Sequence, residues 1–394
     1  MPANVPRRKK VLTPPASGCI LNLFLKAVAR ERFPCALNGC KESTHFITNR
    51  IGGHHLQPSG RKTCLATALG NMARTLREKV NLSEFSNYKI GGPARFFFDA
   101  KSEDEIKSAV AFGREKKLDI FVLGGATNLL IADEGFPGLV IKAGIDSIEV
   151  EGENIVAGAG VSMARLLDYS IAHSLSGLEW AGGLPGTLGG AIRGNAGCFG
   201  GEIKDVIVSV RSFDTKTDKF LERKVGDCKF GYRDSIFKKN GAEIILSAVL
   251  RLKKGDRAEI VSATEEKIAY RTKNHPLEHP NIGSIFKNIP LQLIFKAESK
   301  EYREALKNGK IEFHGSQFTV KTDPFPVISA AKLISESGLR GVKSGGAMFS
   351  EKHPNFIVNV SGAKASDVKE LIRLAKESVY KKFGIKLEEE VQVL

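Results

Sequence analysis

Long apolar runs are missing from this 394-residue chain. No stretch of eighteen uninterrupted apolar residues occurs, which excludes an obvious membrane-spanning helix. The N-terminus lacks the ordered basic region, apolar core and small-residue cleavage site of a secretory signal, so the expected compartment is the cytoplasm. No G-x-x-x-x-G-K-[ST] segment is present, which disfavours ordinary P-loop nucleotide hydrolysis. Gly158-Ala159-Gly160 opens like a dinucleotide fingerprint but lacks the third glycine and a clear acidic ribose partner. Cysteine is scarce beyond residue 71, where only Cys198 and Cys228 occur. Cys19, Cys35, Cys40 and Cys64 lie before it without paired C-x-x-C spacing, even with His45, His54 and His55 nearby. No metal site is therefore expected, and a reducing cytosol argues against disulfides. Acidic residues are outnumbered, 44 against 59 basic, for a net charge of +15. Residues 1–71 account for +9 of it, with eleven Lys or Arg against Glu31 and Glu42, leaving +6 for residues 72–394. The basicity belongs mainly to the leader and is not read as a nucleic-acid signal; the modest remainder suits small anionic ligands.

Glycine is what the chain has in excess, and in one place. Between Gly182 and Glu202 there are nine glycines. Such density is tolerated where backbone must take φ > 0 or approach a ligand closely, both common where amides converge on a phosphate. A flexible linker fails on context, because Leu175, Leu178 and Trp180 bound the run and single apolar residues interrupt it. A second loop, Gly124-Gly125-Ala126-Thr127-Asn128, follows the buried-strand pattern Ile120 to Leu123. Two such loops suit a diphosphate.

These loops belong to an ordered set. It continues with Asn87-Tyr88-Lys89-Ile90-Gly91-Gly92-Pro93-Ala94, Phe230-Gly231-Tyr232-Arg233, Gly283-Ser284-Ile285-Phe286-Lys287-Asn288, Gly338-Leu339-Arg340-Gly341, Gly345-Gly346-Ala347 and Leu387 to Val391. In this order and spacing, over about Leu82 to Val391, the chain resembles the UDP-N-acetylenolpyruvoylglucosamine reductases (MurB) of peptidoglycan synthesis, in their shorter type without the extra substrate-covering loop. The resemblance implies an α+β fold: a two-subdomain FAD-binding unit of the vanillyl-alcohol-oxidase (PCMH) type, then a C-terminal α+β substrate-binding domain. It implies FAD held non-covalently, reduced by NADPH in a first half-reaction and reoxidised by the UDP-sugar in a second, with no nucleic-acid or membrane partner. Oligomeric state is left open.

Reduction of an enolpyruvyl ether needs a hydride at C3, a proton at C2 and stabilisation of the charge that develops between. No side chain supplies a hydride, whereas a flavin does. By resemblance Ser284 is the proton donor, Arg233 the polarising arginine and Glu390 the third catalytic residue, with Glu388 and Glu389 close enough to compete for that role. Read alone, Ser284 is a turn residue, Arg233 a surface ion pair with Asp234 and Glu390 a solvated glutamate. Flavin contacts are expected at Gly124, Gly125, Thr127, Asn128, Gly186, Thr187, Gly190 and Gly197, and UDP-sugar contacts at Tyr232, Lys287 and Asn288. The family more often carries glycine where this chain has Ala126. A different FAD-linked oxidase or dehydrogenase would share the glycine loops without needing Ser284, Arg233 and Glu390 together; a non-catalytic flavin binder would hold FAD without turnover.

By resemblance, family members begin about where Met72 stands, so the expected start is Met72 and residues 1–71 are expected to be disordered or a start-site misassignment, the alternative being a basic targeting or nucleic-acid tail. Residues 72–254 are assigned to FAD and 255–394 to substrate. Ser102 with Glu105 predicts a capping box and a helix carrying Ile106, Ala109, Val110 and Gly113. Ser162 caps a second, a third spans Ala258 to Tyr270, and the last follows a cap at Ser366 with Val368, Leu371, Ile372, Ala375 and Val379 at helical spacing. Leu291 to Pro326 inserts roughly thirty residues relative to the family and reads as a surface elaboration, the alternative being a lid or partner surface.

Overall fold

A computed structural model of the protein describes residues 76–322 and 325–394, so the readings for residues 1–71 and Met72 lie outside the described residues. Strands β1 (Arg77–Asn81) and β2 (Pro93–Ala100) lead through helix α1 (Glu103–Glu115) to β3 (Ile120–Leu123), the short β4 (Leu129–Leu130) and β5 (Phe136–Ala143). The sheet order is β1-β2-β5-β3, with β5 parallel to both β2 and β3. Both faces are covered, since Phe98 packs with Ile106, Val110 and Ile141 under α1 while neighbouring Phe97 packs with Leu123 and Val140 on the other face. The Ser102 side chain accepts from Glu105 N at 3.2 Å as expected. Glu105, however, reaches back to Lys101 N, one residue beyond the capping-box partner.

The second subdomain follows as β6 (Ile148–Glu151), β7 (Asn154–Gly158), α2 (Met163–Ala172), β8 (Leu175–Ser176), α3 (Leu188–Gly194), β9 (Gly197–Cys198), β10 (Gly201–Glu202), β11 (Ile207–Asp214), β12 (Lys219–Lys224), α4 (Ile236–Asn240), β13 (Glu243–Arg251) and β14 (Lys253–Lys254). Its five-stranded antiparallel sheet, β12-β11-β13-β7-β6, shares a core with α2 and α3 through Leu166, Leu167, Leu188, Ile192 and Trp180. The next helix, α5 (Arg257–Asn274), runs longer than its apolar pattern indicates. Arg271 on α5 donates from Nε to Gly182 O at 2.8 Å, bracing the glycine-rich segment.

The rest of the chain forms β15 (Ile289–Pro290), α6 (Lys300–Asn308), β16 (Lys310–Phe313), β17 (Ser316–Lys321), β18 (Val327–Ile328), α7 (Ala330–Glu336), β19 (Lys343–Ser344), β20 (Ala347–Phe349), β21 (Ile357–Asn359), α8 (Ala365–Phe383) and β22 (Gln392–Val393). The expected surface elaboration is corrected here. The inserted segment builds most of the sheet β15-β18-β17-β16, and its Leu291, Ala305, Ile311, Phe318 and Val320 are buried in one core with Val368, Leu371 and Phe383 of α8. The period-2 burial of β17 explains the error: alternate residues face α8, a partner nearly fifty residues ahead in the chain.

The expected cap at Ser366 is also corrected. Helix α8 starts at Ala365, and Asp133, from the loop after β4, accepts from Ala365 N at 2.7 Å and Ser366 N at 3.0 Å. These hydrogen bonds and the positive helix end pull the Asp133 carboxyl below its ordinary range, against the desolvation that raises it. Because the cap joins elements 232 residues apart, Asp133→Ala is expected to lower stability by about 1–2 kcal/mol, the upper part of the range for capping residues. Urea denaturation checks this; an unchanged midpoint contradicts it.

Two imidazoles meet where α5 ends. His275 and His353 have ring centroids 5.6 Å apart and both pack on Phe356. Desolvation, aided by each one's cationic neighbours, pushes both down to about 4. The unfolded chain therefore takes up protons first as pH falls below about 6.5. Stability from this pair is complete above that pH and lost progressively toward pH 4, at about 1.4 kcal/mol per pH unit for each imidazole. Urea unfolding free energies between pH 7 and 5 should show this slope, and His353→Gln should roughly halve it.

Candidate active site

The two glycine loops come together face to face. A Cβ on Gly125 would lie 2.8 Å from Gly186 Cα, and one on Gly186, where φ is +108°, would lie 2.8 Å from Thr127 Oγ1. Glycine at 186 answers both a positive φ and a close approach. Gly124 faces Thr187, and Gly190 lies one turn into α3 beside the same side chain. The buried Thr187 hydroxyl has no hydrogen-bond partner among the described residues. A buried donor left in a bare-backbone cradle is what a diphosphate oxygen would satisfy, so these residues fit the flavin's diphosphate. Ala126 takes φ +48°, so the position does call for left-handed backbone. Alanine accepts the roughly 1–2 kcal/mol strain while its methyl is buried with Leu123 and Leu129.

Arg233 and Glu390, 157 residues apart in sequence, form an ion pair with Nε to Oε1 at 2.7 Å. Both side chains are largely enclosed, 22% and 19% exposed. Burial opposes the charge on Arg233, but Glu390, together with Tyr232 and Cys198, outweighs it and holds the guanidinium pKa above its ordinary value. Arg233 also donates to Gly197 O at 2.8 Å, so Gly197 stands at the arginine while Gly124, Gly125, Gly186 and Gly190 stand at the loop crossing. Asp234, the solvated partner considered for Arg233, pairs with Lys239 at 2.7 Å instead. The three C-terminal glutamates separate: Glu388 binds Lys287, Glu389 binds Lys376 of α8 at 2.5 Å, and Glu390 is the one that meets Arg233.

Backbone pairing explains how Glu390 gets there. The C-terminal segment lies along the segment that follows Ser284, with Glu390 N donating to Ile285 O at 2.8 Å and Lys287 N to Glu388 O at 2.9 Å. Beyond it, β22 pairs in parallel with β4, directly after the first glycine loop. Asn128, expected at the flavin, donates from Nδ2 to Glu390 O at 3.1 Å. The chain end thus carries Glu390 between the Ser284 loop and the loop crossing.

Ser284 follows Gly283, which has φ +82°. Gly283 N donates to Asn281 Oδ1 at 3.1 Å, Asn281 O accepts from Asn87 Nδ2 at 2.7 Å, and Asn355 clamps Phe286 through N and O at 3.0 and 2.8 Å. The Ser284 hydroxyl itself has no hydrogen bond with the described residues, on a backbone held from three sides. Asn288 is partly used in structure, its Oδ1 accepting from Ala330 N at 3.3 Å.

Two cations that the motifs did not single out join the site. Lys238 Nζ donates to Arg233 O at 2.9 Å. Its pKa is lowered by burial and then by the charges of Lys287 and Arg193. Arg193, at the end of α3, is itself lowered by burial and has no carboxylate partner among the described residues. A buried lysine lowered further by two neighbouring cations marks a cluster of positive charge that favours a polyanionic ligand. Asn87, Asn281 and Asn355 were likewise absent from the expected site; only the Asn281-x-Gly283 turn carried a local signal.

The geometry matches known proteins. A FAD binding domain profile matches residues 94–220, and the profile of the UDP-N-acetylenolpyruvoylglucosamine reductase C-terminal domain matches residues 275–394. The UDP-N-acetylenolpyruvoylglucosamine reductase of Carboxydothermus hydrogenoformans is 38% identical over 319 residues, covering 80% of this chain and 93% of that one. The chain belongs to the UDP-N-acetylenolpyruvoylglucosamine reductase family. Another such reductase, from Alkaliphilus oremlandii, is 35% identical over 79% of this chain and 91% of its own. The crystal structure of the reductase from Thermus caldophilus superposes with a TM-score of 0.62 at 30% identity, covering 81% of this chain and 99% of that one. Membership brings the flavin fold with it: an α+β FAD-binding unit of the PCMH type followed by the reductase C-terminal domain.

Proposed function

We propose that the protein reduces UDP-N-acetylglucosamine enolpyruvate to UDP-N-acetylmuramate with NADPH as reductant. The observation that carries this reading is the Arg233–Glu390 pair at 2.7 Å on a segment tied to both the Ser284 loop and the first glycine loop. Bound FAD would supply the hydride that converts the vinyl CH₂ at C3 into a methyl group. Ser284 delivers the proton to C2, its otherwise unpartnered hydroxyl held on a clamped backbone. Arg233 grips the substrate carboxylate, where charge builds between the two transfers, and Glu390 orients the guanidinium. Lys238, Arg193 and Lys287 supply positive charge for the diphosphate, with Tyr232 and Asn288 beside them. Gly124, Gly125, Thr127, Gly186, Thr187 and Gly190 form the flavin cradle; Asn128 and Gly197 link that cradle to the catalytic pair. Residues 72–254 serve FAD and residues 255–394 the substrate, in a cytoplasmic enzyme.

The test is anaerobic stopped-flow absorbance of the flavin band. NADPH should bleach it, and the enolpyruvyl UDP-sugar should restore it. Bleaching without recovery would point to another acceptor, and protein that never retains FAD would remove the proposal's foundation.

A further inference from the structure

The inserted segment does more than fill the core, because it returns to the site. It is bracketed by β15, immediately after Asn288, and β18, whose Ile328 and Val327 pair with Ile289 and Pro290. Leu291 N donates to Pro326 O at 2.8 Å, which holds the returning chain in register beside Asn288. The residue before that proline is Phe325, and its ring meets Tyr232 edge to face, with centroids 4.9 Å apart and planes at 87°. The Arg233 guanidinium carbon lies 5.3 Å from the centroid of the same Tyr232 ring. The Tyr232 ring therefore has two ring contacts, one of which comes from the insertion.

We propose that Phe325 is a specificity-determining residue that sets the Tyr232 ring as an apolar wall for the UDP-sugar. This rests on the function proposed above. Phe325 lies on the Asn288 side of Arg233, whereas the flavin cradle is made by the Gly125 and Gly186 loops, so its influence falls on binding of the sugar nucleotide. A ring wall of this kind suits the planar base or the apolar face of a sugar, both of which the substrate carries and the transferred hydride does not need. The anchoring is strong for so small a contact: Leu291 and Phe318 of the same segment are fully buried against α8. That packing anchors the segment from which Phe325 reaches Tyr232.

The test compares steady-state and half-reaction kinetics of the FAD-loaded wild type with Phe325→Ala, Phe325→Leu and Phe325→Tyr. In Phe325→Ala the KM for the enolpyruvyl UDP-sugar should rise about tenfold, the upper range for an aromatic pair. Its kcat and the rate of flavin reduction by NADPH should stay within twofold of wild type. Phe325→Tyr keeps the edge contact and should restore the wild-type KM. If Phe325→Ala does not fold, Phe325→Leu carries the test, since it retains bulk but not the ring edge and should still raise KM. A UDP-sugar KM within twofold of wild type overturns the proposal, as does an equal loss in both half-reactions. A wild-type enzyme that never turns over the UDP-sugar would instead refute the function proposed above.

Discussion

Ser284→Ala is expected to leave flavin reduction by NADPH at the wild-type rate while slowing reoxidation by the UDP-sugar roughly 10²- to 10⁴-fold, the range supplied by a positioned general acid. The asymmetry follows from the chemistry, because the first half-reaction needs no proton on carbon and the second needs one at C2. Stability should change little. The serine side chain makes no hydrogen bond with the described residues, and its backbone is held by Asn281, Asn355 and Glu390 rather than by its own hydroxyl. Single-turnover stopped-flow in each direction reads the two rates separately. Equal loss in both would place Ser284 in binding or folding instead of proton transfer.

The second large effect belongs to Arg233. Arg233→Ala leaves Glu390 enclosed and unpaired, and removing one member of a buried pair costs roughly 3 kcal/mol, the low end of the usual range given the remaining exposure of both side chains. It also removes the planar cation from the developing carboxylate charge, worth roughly 10²- to 10³-fold in the substrate half-reaction. Lysine returns only part of this, since one ammonium cannot reproduce the fork that now reaches both Glu390 and the Gly197 carbonyl. The double variant Arg233→Ala with Glu390→Gln separates the two effects. Most of the lost stability should return, because no uncompensated charge stays enclosed, whereas activity should not. Urea midpoints and reoxidation rates measured on the same preparations decide it; a double variant as unstable as Arg233→Ala alone would contradict the ion-pair account.

Some of this was readable along the chain because the cause was local. The cap at Ser162 and the helix it opens, the strands at Ile148 and Ile155, and the apolar stripe of α8 follow from periodicity and from side-chain oxygens that satisfy nearby N–H groups. The glycine loops were legible too, since only glycine tolerates the Gly186 φ and the approach to Gly125. Motif order then named the family and brought Ser284, Arg233 and Glu390 forward together.

What the chain did not disclose depends on partners far away in sequence. The cap of α8 is Asp133 and not Ser366, because an N-terminal N–H accepts a carboxylate from any distance along the chain once tertiary contacts deliver it. Ser366 had the right residue type at the wrong place. The insertion looked dispensable, since its alternating strand has meaning only against α8. Glu390 was set apart from Glu388 and Glu389 by the motif match alone until backbone pairing on one side and β4 on the other brought it to Arg233. Residue identity determined the chemistry available at the site and the local elements that present it. Pairing register, set by burial of one face over another across hundreds of residues, decided which of three adjacent carboxylates met the arginine.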